Sequence, residues 1–290
     1  MTDGRGPRLD GRQGGATPGT SAAGLAARGA PDRARLADDR GPSESPFYGA
    51  DRAAARPFGP GPVWTACGSA LSTPQVDMDL SRAVLADLGQ GAGGLLRAHR
   101  PPPTAAFSRR DSLVPGYADA AAAAAEHGFA PVIRPAGGRL AAYHRDALVV
   151  DLVGPHPSPH DGHRARFAAA AAALTEGLRY LGVEARPGAV PGEYCPGEFS
   201  VNARGATKLI GTAQRLTRHG YLFSVVVLVG DPEPVREVLA ATYPRLGLEW
   251  DPATVGSVAC EVPGVTVAEV AGVLVPRLLD LIASSQGPPW

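Results

Sequence analysis

Pro191-Gly-Glu-Tyr-Cys195-Pro-Gly-Glu-Phe-Ser200-Val-Asn-Ala-Arg-Gly205-Ala-Thr-Lys208-Leu-Ile-Gly211-Thr-Ala213-Gln214-Arg215 sets one lysine in an apolar, strand-like run behind a loop that carries a thiol. An ammonium taken out of water is costly unless it meets an anion. A lysine between Thr207 and Leu209, with Ile210 and Gly211 beyond it, therefore calls for a negative partner, which a ligand can supply. Considered alone, Lys208 also reads as a surface residue on the polar face of a strand.

A second informative stretch lies upstream: Arg134-Pro-Ala-Gly137-Gly138-Arg139-Leu-Ala-Ala-Tyr143-His144. Gly137 and Gly138 lack Cβ atoms, so backbone N–H groups there can approach a phosphate or adenylate closely. Arg134 can present a fork of donors that lysine does not match. The glycine pair also reads as a plain turn between strands, and His144 as a structural histidine.

Taken together, Lys208-x-x-Gly211-x-Ala213-Gln214-Arg215 and the Arg134-to-His144 stretch resemble the paired motifs of the lipoate-protein ligase and lipoyl/octanoyl transferase family, over residues 65 to 290 or so. The resemblance implies an α+β fold with a mixed, largely antiparallel sheet and flanking helices. It implies an acyl-adenylate held by Arg134, Gly137, Gly138, Tyr143, His144, Gly211 and Ala213, with Lys208 as the catalytic cation. The expected reaction joins lipoate or octanoate to a lysine of a lipoyl domain, in a 2-oxoacid dehydrogenase or a glycine-cleavage protein, with ATP and magnesium if the enzyme is a ligase. In the octanoyltransferase branch a loop cysteine shortly before the lysine accepts the acyl group as a thioester, with a serine a few positions on. Cys195 and Ser200 keep that arrangement, and the acyl donor would then be a carrier such as acyl carrier protein, with no nucleotide. Only a thiolate attacks, so this role needs Lys208 to lower the thiol's pKa; the other reading of Cys195 is an inert loop residue.

Two departures bear on the choice. Ligases of this kind often carry an Asn-Asp pair before the lysine, where this chain has Phe199-Ser200-Val201-Asn202-Ala203 and lacks the acidic member. The sequence also ends soon after a helix starting at Val267, so ATP use is expected to need a separate partner or to be replaced by carrier-borne acyl groups. A non-catalytic protein that holds lipoate or an adenylate is a third reading, and a biotin-protein ligase ranks below it.

Composition sets the frame. Of 290 residues, Lys+Arg and Asp+Glu number 28 each, so no whole-chain field recruits nucleic acid or an acidic membrane surface. No apolar run approaches the ~20 residues needed to span a bilayer. Cys67, Cys195 and Cys260 form no metal or disulfide spacing, and a reducing cytoplasm is expected. Residues 1–60, rich in Gly, Ala, Pro and Arg, read as a disordered tail, with a catalytic domain over 61–290 and a monomer as the default. His156, His160 and His163 lie close in sequence, but their prolines indicate a loop rather than a zinc site, with Asp161 as a cap for the next helix.

Periodicity predicts a helix over 76–99 broken by the Gly89–Gly94 turn, whose Gly-x-Gly-x-x-Gly match lacks a preceding strand. It predicts a helix over 116–126, a strand over 130–134, a hairpin-like pair over 141–144 and 147–153, and a helix over 163–181 with Phe167, Leu174, Leu178 and Leu181 on one face. Strands over 208–216 and 221–229 form the expected sheet core, followed by helices to Tyr243 and from Val267 to Ile282, the latter containing Pro276.

Overall fold

The computed structural model describes residues 73–90 and 94–283. The expected tail, the expected domain start at Gly61, Cys67 and the interior of the Gly-rich turn lie outside the described residues. Helix α1, Pro74–Asp87, begins where the Thr73 side chain accepts from the Val76 N–H at 3.3 Å and Pro74 presets the first helical φ. A 3-10 turn, Leu88–Gln90, follows it, and then comes strand β1, Leu95–His99. The helix expected over 76–99 is therefore corrected in its second half. Every residue of β1 is buried and pairs antiparallel with Val149–Val153, so the neighbouring strand satisfies its backbone groups.

The chain continues through β2 (Thr104–Phe107), α2 (Tyr117–Glu126), β3 (Ala130–Ile133) and β4 (Ala141–Tyr143). These strands form a small sheet in the order β3-β2-β4, with β3 parallel and β4 antiparallel to β2. Next come β5 (Ala147–Pro155), α3 (His163–Tyr180), β6 (Ala185–Pro187), β7 (Val201–Ala203), β8 (Thr207–Leu216), β9 (Gly220–Leu228), α4 (Glu233–Thr242), α5 (Val258–Glu261) and α6 (Val267–Ala283). A six-stranded antiparallel sheet runs β1-β5-β9-β8-β7-β6. The fold is α+β, mixed and largely antiparallel.

The hairpin expected from 141–144 and 147–153 is not formed. The Ala147 N–H bonds the His144 carbonyl at 2.8 Å, and across this turn the chain passes from the small sheet to the large one. The cause is visible in β5, which is buried on both faces and, apart from Asp151, apolar over residues 147–154, and so takes an interior place between β1 and β9. Leu148, Val150 and Leu152 point into a core shared with Leu174 and Leu178 of α3 and Val270 and Leu274 of α6. Ala147 and Val149 point the other way, into a second core with Ala120, Ala124, Val235 and Val238 of α2 and α4.

Strand β9 alternates likewise. Phe223, Val225 and Val227 enter the first core, while Ser224 and Val226 lie opposite Ala213 and Gly211 of β8. Three of those four side chains are small or absent, so this part of the sheet leaves a hollow instead of a packed layer. Leu174, fully buried between α3, α6 and the sheet, is the fold's test position: Leu174→Ala is expected to lower unfolding stability by about 2–5 kcal/mol in urea titration, the usual loss for a core leucine.

Candidate active site

Lys208 on β8 is 2 % exposed. Its Nζ lies 3.0 Å from Glu193 Oε1, 3.0 Å from the Tyr194 carbonyl and 2.7 Å from the Cys195 carbonyl, and 4.9 Å from the centre of the Tyr194 ring. The ammonium thus spends its three protons on one loop. Gly211 lies beside this side chain, where a Cβ would stand 3.4 Å from Lys208 Cε, an ordinary contact distance.

Glu193 is the anion that this lysine required, and sequence reasoning missed it. Its Oε1 also accepts from Ser200 Oγ at 2.7 Å and the Gly197 N–H at 3.0 Å, and Oε2 accepts from the Val190 N–H at 2.9 Å. The negative partner expected for Lys208 was a ligand, whereas Glu193, the one acid on the quoted loop N-terminal to the thiol, was the usable signal. Asn202 is engaged structurally: Nδ2 donates to the Gly188 carbonyl at 2.9 Å and Oδ1 accepts from the Gly205 N–H at 2.8 Å.

The loop so anchored holds Cys195 at φ 42°, in the left-handed region that a side chain rarely adopts. Its N–H donates to Tyr243 Oη at 2.7 Å, and that hydroxyl donates to the Leu140 carbonyl at 2.9 Å. The half-buried Sγ receives the Arg139 N–H at 3.3 Å and Arg134 Nη2 at 3.4 Å. Burial pushes this thiol up, but the Arg134 and Lys208 charges and the Arg139 amide outweigh it and hold Cys195 below the ordinary thiol range.

Arg134 also donates to the Arg139 carbonyl at 2.6 Å, closing the glycine loop over the thiol. Gly138 sits at φ +103°, and a Cβ there would meet Arg134 Nη2 at 2.5 Å and Cys195 Sγ at 3.0 Å. Only glycine suits that position. The Gly137 N–H bonds the Gln214 carbonyl at 3.3 Å, so the two sequence stretches are joined directly, backbone to backbone.

Between them lies a cavity of about 410 Å³, lined by Arg134, Gly137, Gly138, Cys195, Lys208, Gly211 and Ala213, with Ala141, Ala142, Phe167, Phe199, Ser224 and Val226 among its walls. A mostly apolar hollow with a few convergent polar groups is the usual form of a small-ligand site. Tyr143 and His144 are placed elsewhere. Tyr143 borders a separate void of about 30 Å³ beside Ser81, Asp151 and Ser224, and His144 Nε2 contacts the Asp231 carbonyl at 2.9 Å at the turn before β5.

The histidine cluster forms no site: among the described residues no group of three or more His, Cys, Asp or Glu side chains is placed to hold a metal ion. Asp161 does not cap α3 as expected, since Gly162 occupies the N-cap and no side chain bonds there. No helix among the described residues is long and apolar enough to cross a membrane.

Two outcomes follow from these contacts. Arg134→Met is expected to raise the pH midpoint for iodoacetamide alkylation of Cys195 by about one unit or more, because an opposite charge at this range stabilises the thiolate; the rate of alkylation against pH reads it. Glu193→Ala strands a buried ammonium and is expected to cost about 3–5 kcal/mol of stability in urea unfolding.

No protein-family model matches the chain. It is 26% identical over 164 residues to an octanoyl-[GcvH]:protein N-octanoyltransferase of Exiguobacterium sp. (strain ATCC BAA-1283 / AT1b), covering 56% of this chain and 57% of that protein. It is 25% identical over 152 residues to the protein of the same name from Geobacillus kaustophilus, covering 51% and 52%. The chain thus spans little more than half the length of the curated relatives it matches. Among solved structures, the Thermoplasma acidophilum protein Ta0514 with bound lipoic acid superposes with TM-score 0.58 at 16% identity, over 77% of this chain and 86% of that one. Lipoate-protein ligase A bound with ATP gives 0.55 at 16% identity, over 78% and 86%. The chain has the fold of the lipoate-protein ligases and resembles, in sequence, the octanoyl-[GcvH]:protein N-octanoyltransferases.

Proposed function

We propose that the protein is an ATP-independent acyltransferase that carries an octanoyl or lipoyl group as a thioester on Cys195 and passes it to a lysine of a lipoyl domain. The observation that carries this reading is the thiol itself, held in a strained backbone conformation at the cavity, against Arg134 and the Arg139 amide, with its pKa lowered.

The chemistry runs in two balanced steps. Cys195 thiolate adds to the acyl carbonyl of the donor, forming a C–S bond and expelling the carrier's amine or thiolate, which takes up a proton. The acceptor lysine's amine then adds to the thioester carbon, the C–S bond breaks, the amine's proton is lost and Cys195 returns as thiolate. In both steps charge develops on the acyl oxygen, and Arg134, whose Nε has no hydrogen-bond partner among the described residues, supplies a fixed cationic donor beside it. Lys208 acts through the loop: it fixes the Tyr194 and Cys195 carbonyls and adds positive charge near the sulfur. A thiol used in this way needs a reducing compartment, which supports the cytoplasm. The donor is a carrier protein, either the glycine-cleavage type named for the relatives or acyl carrier protein, and the acceptor a lipoyl domain of a 2-oxoacid dehydrogenase.

A ligase that makes lipoyl-AMP, held by Arg134, Gly137, Gly138 and Lys208, is the second reading, supported by the shared fold with an ATP-bound ligase. The side chains support it less well. The lining has one carboxylate, Glu198, already paired with Arg164 at 2.6 Å, and the three protons of Lys208 are spent on the loop, so the donor set makes a poor match to magnesium and a triphosphate.

Offering the protein a lipoyl domain with either octanoylated carrier or lipoate plus ATP, and weighing the acceptor, separates the readings. Acyl transfer from the carrier without ATP, abolished by Cys195→Ala, is expected. Modification that needs ATP and survives Cys195→Ala would establish the ligase instead. Lys208→Ala is expected to slow carrier-dependent transfer by about 10²-fold, the loss of roughly 3 kcal/mol that follows removal of one preorganised charge.

A further inference from the structure

We propose that the groove outside the cavity mouth docks an acidic face of the acyl-carrying protein. This rests on the acyl-transfer reading and adds the partner's chemistry to it. The groove, about 630 Å³, shares Gly137, Gly138, Pro196, Gln214 and Leu216 with the cavity, so whatever occupies it sits beside the Cys195 loop. Its charged lining consists of Arg109, Arg110, Arg139 and Arg215, and no Asp or Glu belongs to it.

The four guanidiniums are differently engaged. Arg139 is paired with the buried Asp111 at 3.2 Å, and Arg215 reaches the Pro135 carbonyl at 3.4 Å. Arg109 and Arg110 are exposed, and no ion pair among the described residues engages either of them. Leu113, three residues beyond Arg110 at the end of the Asp111–Leu113 turn, is 73% exposed and offers the same partner an apolar contact. In a chain whose positive and negative side chains balance at 28 each, this concentration of one sign is local. A patch of this kind steers an oppositely charged protein and fixes its orientation, which brings the tethered acyl group to the thiol. A nucleotide is the poorer occupant, because the groove lining contains no aromatic ring on which a base would stack.

The test uses the whole protein and an octanoylated carrier protein of net negative charge. Calorimetric titration is expected to show binding that weakens with added salt and falls about tenfold or more in the double variant Arg109→Glu, Arg110→Glu, with a smaller loss for Arg109→Gln, Arg110→Gln. KM for the carrier should rise by the same factor with kcat nearly unchanged. Acylation of Cys195 by the octanoyl thioester of N-acetylcysteamine, which has no charge to be read, should be unaffected, and this also shows that the variants are folded. Carrier binding that ignores both salt and charge reversal would overturn the proposal, as would a loss of ATP binding in the double variant with carrier binding intact. If the uncharged thioester fails to acylate wild-type Cys195, the acyl-transfer reading falls, while the titration still decides the groove.

Discussion

The ion pair between Lys208 and Glu193 is the constraint on which the site depends. Both side chains are almost wholly buried, at 2 % and 3 % exposure, where a lone charge of either sign would be strongly unfavourable. Each therefore fixes the other. Glu193 gathers the Ser200 hydroxyl and the Val190 and Gly197 amides, and Lys208 gathers the Tyr194 and Cys195 carbonyls. A loop rich in proline and glycine, with little regular structure of its own, is held against β8 by these charge-assisted bonds. The strained φ at Cys195 persists because its surroundings overdetermine it, with the backbone N–H tied to Tyr243 and the carbonyl to Lys208.

The second constraint is how closely the glycine stretch approaches. Gly137 meets β8 through the Gln214 carbonyl, and Gly138 passes so near Arg134 and Cys195 that a side chain there would overlap both. The Arg134 guanidinium can thus reach across to the thiol while bonded to the Arg139 carbonyl. Positive charge near the sulfur comes from both Arg134 and Lys208, and with the Arg139 amide it overcomes the opposing effect of burial on its ionisation. The hollow beyond exists because Gly211, Ala213 and Ser224 place almost nothing on that face of β8 and β9.

Much of this was legible because it was local. A lysine in an apolar run, a thiol thirteen residues before it, and an arginine three residues before a glycine pair are features of short stretches, and the fold brings those residues to one cavity. Features set by distant contacts were not legible. Glu193 gave no sign that its carboxylate would turn inward, and Tyr243 lies 48 residues from the cysteine whose amide it accepts. Leu95–His99, expected as the end of a helix, is a strand because of its pairing with β5, a contact fifty or more residues away in sequence. The separation of β4 from β5 is also set by distant partners: β5 pairs with β9 along its whole length and with β1 on its other edge, so neither edge is left for β4.

If the charges around position 195 exist to maintain a nucleophilic sulfur, an acyl group must pass through it during turnover. Rapid quenching in acid, followed by peptide mapping, measures this most directly. The expected result is an octanoyl thioester on the Cys195 peptide that forms from the carrier without ATP and disappears onto an added lipoyl domain no more slowly than steady-state turnover. Turnover with no acyl group on that peptide, or with one too slow to be passed on, would contradict the account.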